Sequence, residues 1–249
     1  MKWAIDVSSY DAKLPDGTYQ AVDWHRSGLS MAMIKASEGM MIDPAFTIQW
    51  KAAQGFPRVA YHFFRSYVNA IAQAQFFLSI VEKDFGPYDR VAVDFETTDG
   101  QNNLACLAAV ASFLHEVDKK IFSPMIYTYP AFWIGIGGEK ALWAVNYPLW
   151  LAQWPKDNWV LWMPVTIFDA PKLAALKGDV ESGLLKPMSL KPWSSPAIWQ
   201  FTARADTRAV PGHPGYKKVC DYNAVFVTIN PVVQFKVCPT CGGTGQVPV

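Results

Sequence analysis

The stretch Arg90-Val91-Ala92-Val93-Asp94-Phe95-Glu96-Thr97 decides how the rest of this chain is read. Its first half is apolar and β-branched, the mark of a buried strand. Residues two apart on a strand share a face and lie roughly 6–7 Å apart along the chain. Asp94 and Glu96 are therefore expected to project together from the strand's end. Two desolvated carboxylates that close cannot both ionise easily, so one keeps a proton near neutral pH. A retained proton beside a carboxylate is what cleavage of a glycosidic bond needs. The bland alternative is a solvated acid pair capping the next helix, and the flanking sequence must separate the two.

Working outward, similar apolar runs recur at Trp3–Ser8, Met31–Ala36, Arg58–Phe64, Ser123–Tyr129, Pro148–Trp154, Pro196–Thr202 and Asp221–Val227. Amphipathic helices are expected between several of them. Asp43-Pro44 is read as a helix start and Gly55 as its stop. Asn69–Asp84 places Ile71, Ala74, Phe77, Leu78 and Val81 on one face. Asn103–Lys119 does the same with Leu104, Leu107, Ala111, Leu114 and Val117. Strands alternating with helices predict a parallel α/β fold, and their number fits a closed, irregular (β/α) barrel of the TIM-barrel type. The open doubly wound sheet is disfavoured, because no Gly-x-Gly-x-x-Gly turn follows the first strand. The segment Pro155–Ser195 has weak periodicity and reads as a decorated loop with one short helix at Pro171–Lys177. The expected boundaries are a catalytic barrel over 1–230 and a short tail over 231–249.

Composition narrows the function classes. The chain has 249 residues, is 51% hydrophobic and contains 11 Trp and 15 Phe, so a sizeable core is available. A net charge of +1 argues against nucleic acid as a partner. No apolar run is long enough to insert in a membrane. Met1-Lys2-Trp3-Ala4-Ile5-Asp6 shows no signal-peptide pattern, so the expectation is synthesis in the cytoplasm and action on a target after release. The four cysteines are too few for a disulfide scaffold, and Cys106 reads as core. The four histidines lack ligand spacing, so no cofactor is expected.

Barrel active sites form at the carboxyl ends of the strands. Asp6 lies in the first strand, Asp94 and Glu96 end the fourth, and Asp221 begins the last. First and last strands are neighbours in a closed barrel, so four acids are expected around one mouth. Tyr61, Tyr127, Trp150, Trp154 and Trp199 occupy matching positions. Sugars present C–H faces that stack on flat rings, and an acidic pocket rimmed by aromatics suits a carbohydrate.

The ordered set Ile5-Asp6-Val7-Ser8-Ser9-Tyr10, Val22-Asp23-Trp24, Met33-Ile34-Lys35-Ala36-Ser37-Glu38-Gly39, Asp43-Pro44-Ala45-Phe46, Ala60-Tyr61-His62-Phe63, Val93-Asp94-Phe95-Glu96, Ile126-Tyr127-Thr128, Leu149-Trp150-Leu151-Ala152-Gln153-Trp154, Ile198-Trp199-Gln200-Phe201-Thr202 and Asp221-Tyr222-Asn223 resembles the glycoside hydrolase family 25 lysozymes, the Chalaropsis-type muramidases common as phage endolysins. The resemblance implies a flattened barrel of about five β/α units followed by β-strands. It also implies hydrolysis of the β-1,4 bond between N-acetylmuramic acid and N-acetylglucosamine in peptidoglycan. By the same resemblance Glu96 matches the proton donor, Asp94 the second carboxylate, and Asp6 and Asp221 the flanking acids. Lys35, Glu38, Tyr61, Tyr127, Trp150, Trp154 and Gln200 match positions that meet the sugar. Trp154 stands where the family often has Tyr, and it opens an unusually long interval before Trp199.

Three roles stay open for Asp94: nucleophile, base for water, or orienter of the substrate's own 2-acetamido group. The spacing falls between the separations of retaining and inverting enzymes, and substrate assistance is the favoured expectation. A chitinase- or hexosaminidase-like glycosidase and a silent cell-wall binding module are the alternative functions. In the tail, Cys238-x-x-Cys241-x-Gly243-x-Gly245 is similar to a single zinc-binding repeat of DnaJ-type chaperones. Two thiolates do not complete a zinc site, so tail-mediated zinc binding or self-association is the weaker expectation beside a plain tail.

Overall fold

A computed structural model describes residues 1–154, 167–214 and 218–227. Nine strands form one sheet: β1 Lys2–Val7, β2 Met31–Glu38, β3 Met41–Ile42, β4 Arg58–Phe63, β5 Arg90–Asp94, β6 Met125–Thr128, β7 Leu149–Ala152, β8 Ile198–Asp206 and β9 Val219–Val225. Their order is β1-β9-β8-β7-β6-β5-β4-β2-β3, and β1 also pairs in parallel with β2, which closes the ring. β3 is only a hairpin arm on β2. β9 runs antiparallel to both of its neighbours, β1 and β8. The helices are α1 Ser9–Ala12, α2 Phe46–Ala52, α3 Ala70–Val81, α4 Asn103–Asp118, α5 Pro130–Gly135 and α6 Ala170–Glu181. None is long and apolar enough to cross a membrane among the described residues.

Period-two alternation divides the barrel strands between two cores, while the two residues of β3 are exposed. Ala4, Met31, Met33, Val59, Ala92, Met125, Ile198 and Val225 fill the barrel interior. Ile5, Val7, Ile34, Val91, Val93, Leu149 and Leu151 face outward and pack beneath the helices. Small residues such as Ala4 and Ala92 leave room inside for the rings of Tyr61 and Trp150, which meet edge to face at 5.8 Å. In β5 the outward set continues through Phe95, fully buried between Phe64 at 5.8 Å and Phe132 at 5.0 Å.

Several boundaries differ from expectation. β5 ends at Asp94, so Glu96 lies just beyond the ladder, although the Phe95 amide still donates to the Tyr127 carbonyl at 2.9 Å. Asp43 does not cap α2. Its carboxylate accepts the amides of Ser9 and Ala45 at 3.0 and 2.9 Å, and the helix starts only at Phe46. The apolar stripes of α3 and α4 bury Ala74, Phe77, Leu78, Val81, Leu107, Leu114 and Val117 as expected, but Ile71 and Leu104 at their first turns are exposed, and Gln73 and Cys106 are buried as well. The loop expected after Trp154 contains α6, capped by Asp169, with Leu173, Leu176 and Val180 buried on one face. Its polar and glycine-containing sequence hid that stripe from periodicity. The tail motif with Cys238 and Cys241 lies outside the described residues.

At the amino-terminal end of the barrel, Arg58 is tied to Asp89 by two hydrogen bonds of 3.0 and 2.5 Å and reaches Asp84 at 3.4 Å. Its guanidinium lies 3.9 Å over the Trp50 ring. Both Arg58 and Asp89 are buried, so removing one leaves the other's charge uncompensated. Arg58→Ala is expected to lose about 3–5 kcal/mol of unfolding free energy in urea titration. The double variant with Asp89→Ala should lose less than Arg58→Ala alone. Activity per folded molecule should be unchanged, because the pair is remote from the barrel mouth.

Candidate active site

The carboxyl ends of the parallel strands converge on a hollow of about 200 Å³. Asp6 from β1, Asp94 from the end of β5, Glu96 just beyond it, and Asp221 from β9 all line it. The register explains how sequence-distant acids meet. Asp6 and Asp221 are direct cross-strand partners in the antiparallel β1–β9 pair, so they share a face. Asp94 pairs with Tyr127 on one side and Phe63 on the other, which carries the ring of lining residues round the mouth. Tyr61, Tyr127, Trp150 and Lys35 complete the walls, as expected from sequence.

Burial sets the protonation of this cluster. Desolvation pushes Asp94 well above the usual carboxylate range, and the neighbouring Glu96 and Asp6 add to it while Lys35 opposes. Glu96 is raised by burial and by Asp6, against the pull of Lys35 and Arg65. Burial lifts Asp6 from 3.8 to about 6, despite hydrogen bonds from Asn223 and Gln200. Burial and the same acids keep Tyr61 and Tyr127 protonated as phenols. Asp94 Oδ1 is buried without a hydrogen-bond partner among the described residues. Such an atom is rare in folded proteins and calls for a partner from outside the chain.

Beneath the hollow lies a buried amide network. Asn223 Nδ2 and Gln200 Nε2 donate to Asp6 Oδ2 at 2.8 and 3.0 Å. The Trp150 indole donates to Asn223 Oδ1 at 2.8 Å. Gln200 Oε1 accepts from Tyr127 at 3.2 Å and from the Trp154 indole at 2.9 Å. Gln200 is therefore corrected from sugar contact to scaffold: it is 1% exposed and its polar atoms are engaged by Asp6, Tyr127 and Trp154. Asn223 was not singled out from sequence. Its spacing of two from Asp221 on one strand was the available signal.

A second layer tunes the cation. Lys35 Nζ lies 2.6 Å from Glu38 Oε2, and Arg65 Nη2 lies 2.5 Å from Glu38 Oε1. Burial works to raise Glu38, but Lys35 and Arg65 outweigh it and hold the carboxyl below its ordinary value. Glu38 thus stands beside the hollow rather than in it. Arg65 also pairs with Asp99 at 2.8 Å; neither residue carries a motif that sequence reading could use. Trp154 faces an adjoining hollow, on the far side of Glu96. No cluster of three or more His, Cys, Asp or Glu side chains among the described residues is arranged to hold a metal ion.

The sequence model of Glycosyl hydrolases family 25 matches residues 5–169. The chain belongs to this family. The matched span includes Asp6, Asp94 and Glu96, while Gln200, Asp221 and Asn223 lie beyond it. This family 25 chain is 28% identical over 166 residues to an N,O-diacetylmuramidase of Arthroderma benhamiae, covering 60% of this chain and 67% of that one. It is 28% identical over 193 residues to the uncharacterised protein YegX of Escherichia coli K12, covering 71% of this chain. The chain spans 66% of the length of the YegX proteins it matches. In three dimensions it is similar to a lysozyme from Streptomyces coelicolor, with a TM-score of 0.66 at 22% identity over 90% of this chain and 91% of that one.

Asp6 holds its proton to about pH 6, against an ordinary value of 3.8. Between these limits the folded chain binds more protons than the unfolded one, so stability falls as pH rises through that interval. The full cost, about 3 kcal/mol, is present above the upper limit and absent below the lower one. Asp6→Asn keeps an oxygen for the two amide donors. It should be more stable than the parent at neutral pH, with the advantage fading by about pH 4. Urea midpoints across that range test this, and a pH-independent difference would contradict it.

Proposed function

We propose that this chain hydrolyses the β-1,4 bond between N-acetylmuramic acid and N-acetylglucosamine in peptidoglycan, with Glu96 as the proton donor. The observation that carries this reading is the desolvated cluster at the barrel mouth, where burial raises the proton affinity of Glu96, Asp94 and Asp6 around one hollow. Membership of family 25 and the likeness to a muramidase support the same substrate.

Glu96 suits the donor role because it is raised in pKa yet still partly exposed, so it can reach the glycosidic oxygen. Asp94 is deeper. Its unpartnered Oδ1 suits the N–H of a 2-acetamido group, which would turn the acetamido oxygen toward the anomeric carbon. We therefore favour substrate assistance, with Asp94 orienting and charge-stabilising the acetamido group. Asp6 adds negative potential that helps keep the proton on Glu96, and with its cross-strand partner Asp221 it lines the hollow where positive charge develops on the sugar ring. Tyr61, Tyr127 and Trp150 supply the walls against which the ring packs.

Digestion of purified peptidoglycan followed by mass analysis of new reducing ends tests the reaction. Muramic-acid ends are expected; glucosamine ends would redirect the reading to a different glycosidase. Glu96→Gln should lower kcat about 10²–10⁴-fold with the fold intact. Wild-type clearing by that variant would remove Glu96 from the donor role. In the parent, kcat should fall as pH rises through the elevated Glu96 value, because the ionised form has no proton to give.

A further inference from the structure

Two further hollows flank the central one along the barrel mouth. One, of about 510 Å³, shares Lys35 with the centre and is lined by Tyr10, Lys13 and Tyr19. The other, of about 440 Å³, shares Glu96 and Tyr127 and is lined by Tyr129, Pro130, Trp154 and Met188. A proton donor stands at the boundary between the sugar that keeps the anomeric carbon and the sugar that leaves. Asp6, Asp94 and Asp221 line only the centre, whereas Glu96 lines both the centre and the Trp154–Met188 hollow. The leaving sugar therefore belongs in that second hollow.

Its wall is built and held. The Met188 amide donates to Gln153 Oε1 at 2.8 Å, and the Gln153 carbonyl accepts the Trp199 indole at 2.8 Å. The Trp154 indole is fixed on Gln200 at 2.9 Å. Met188 is 39% exposed, an apolar side chain presented to solvent at the edge of a cleft. Apart from Glu96, no charged residue among the described residues lines the hollow.

Resting on the muramidase reading of Glu96, we infer that the Trp154–Met188 hollow is a leaving-group subsite selective for N-acetylated glucosamine and unfavourable to glucosamine bearing a bare amine. The acetamido methyl gains apolar contact there. An ammonium in the same place loses its hydration, and among the described residues only Glu96 offers it a charge partner. Pairing with Glu96 also favours the ionised carboxylate, so the donor gives up the proton it needs. The amine thus weakens both binding and proton transfer.

The test uses purified glycan strands in two forms, fully N-acetylated and selectively de-N-acetylated at glucosamine, with reducing ends counted by mass analysis. The wild-type chain is expected to cleave the acetylated form at least about tenfold faster. Met188→Glu places a carboxylate beside the amine and should shift that ratio toward the de-acetylated form by about tenfold. Met188→Gln carries no charge and should keep the preference for the acetylated form. Position 188 is solvent-exposed, so neither change threatens folding. Equal cleavage of both forms by the wild type, or an unchanged ratio in Met188→Glu, overturns this inference and leaves the muramidase reading standing. Failure to release muramic-acid ends from either form overturns that reading and this inference with it.

Discussion

Phe95 buries its ring on the outer face of the sheet, against Phe64 and Phe132. A strand cannot turn one residue outward without turning both neighbours inward. That single commitment sends Asp94 and Glu96 into the barrel mouth together, where burial holds both above ordinary carboxylate values. Burying the ring contributes roughly 1.5–3 kcal/mol, set against the cost of taking two acids out of water. The chemistry of the mouth is in this sense a by-product of ring packing beneath α4 and α5. The strained carboxyl cluster is tolerated because the fold around it is over-determined.

Closure of the ring supplies the other half of the site. β9 enters antiparallel between β1 and β8, so its residues meet β1 in a register that pairs Asp221 with Asp6. The same strand brings Asn223 opposite Gln200 of β8. Asp6 is consequently held by neutral amides rather than by a cation, and nothing offsets its desolvation fully. The nearby cation Lys35 divides its attention with Glu38, which is itself clamped by Arg65. The mouth is left proton-rich at its centre and charge-paired at one edge. Toward Trp154 and Met188 it becomes apolar. These three zones in a row give the groove a direction.

Much of this was legible in the chain. The alternation around Phe95, the runs that became β1, β2, β4 and β7, and the four acids at strand ends are local patterns, and local patterns survive folding when burial reinforces them. α6 was legible only as a short helix at Pro171–Lys177, because its stripe of Leu173, Leu176 and Val180 is diluted by Lys172, Lys177, Gly178 and Asp179. The stripes of α3 and α4 were legible at Ala74, Phe77, Leu78, Val81, Leu107, Leu114 and Val117, but not at Gln73, a polar residue buried because its amide meets the His62 ring and the backbone of Arg65 and Val68. Gln200 was expected to meet the sugar by the family resemblance. Only its partners from β1, β6 and the end of β7 show that it supports the wall from behind.

By itself, the sequence determined which residues can carry the chemistry and which face of each strand they occupy, since side-chain period and apolar patterning depend on near neighbours alone. Tertiary structure decided which of those faces meet. The pairing of Asp6 with Asp221 and the engagement of Gln200 rest on contacts between residues roughly 200 positions apart. The assembly of a single wall from Trp154 and Met188 likewise joins residues outside any local window, over a shorter span. Such contacts are set by closure of the barrel and by hydrogen-bond partners that no local window of sequence contains.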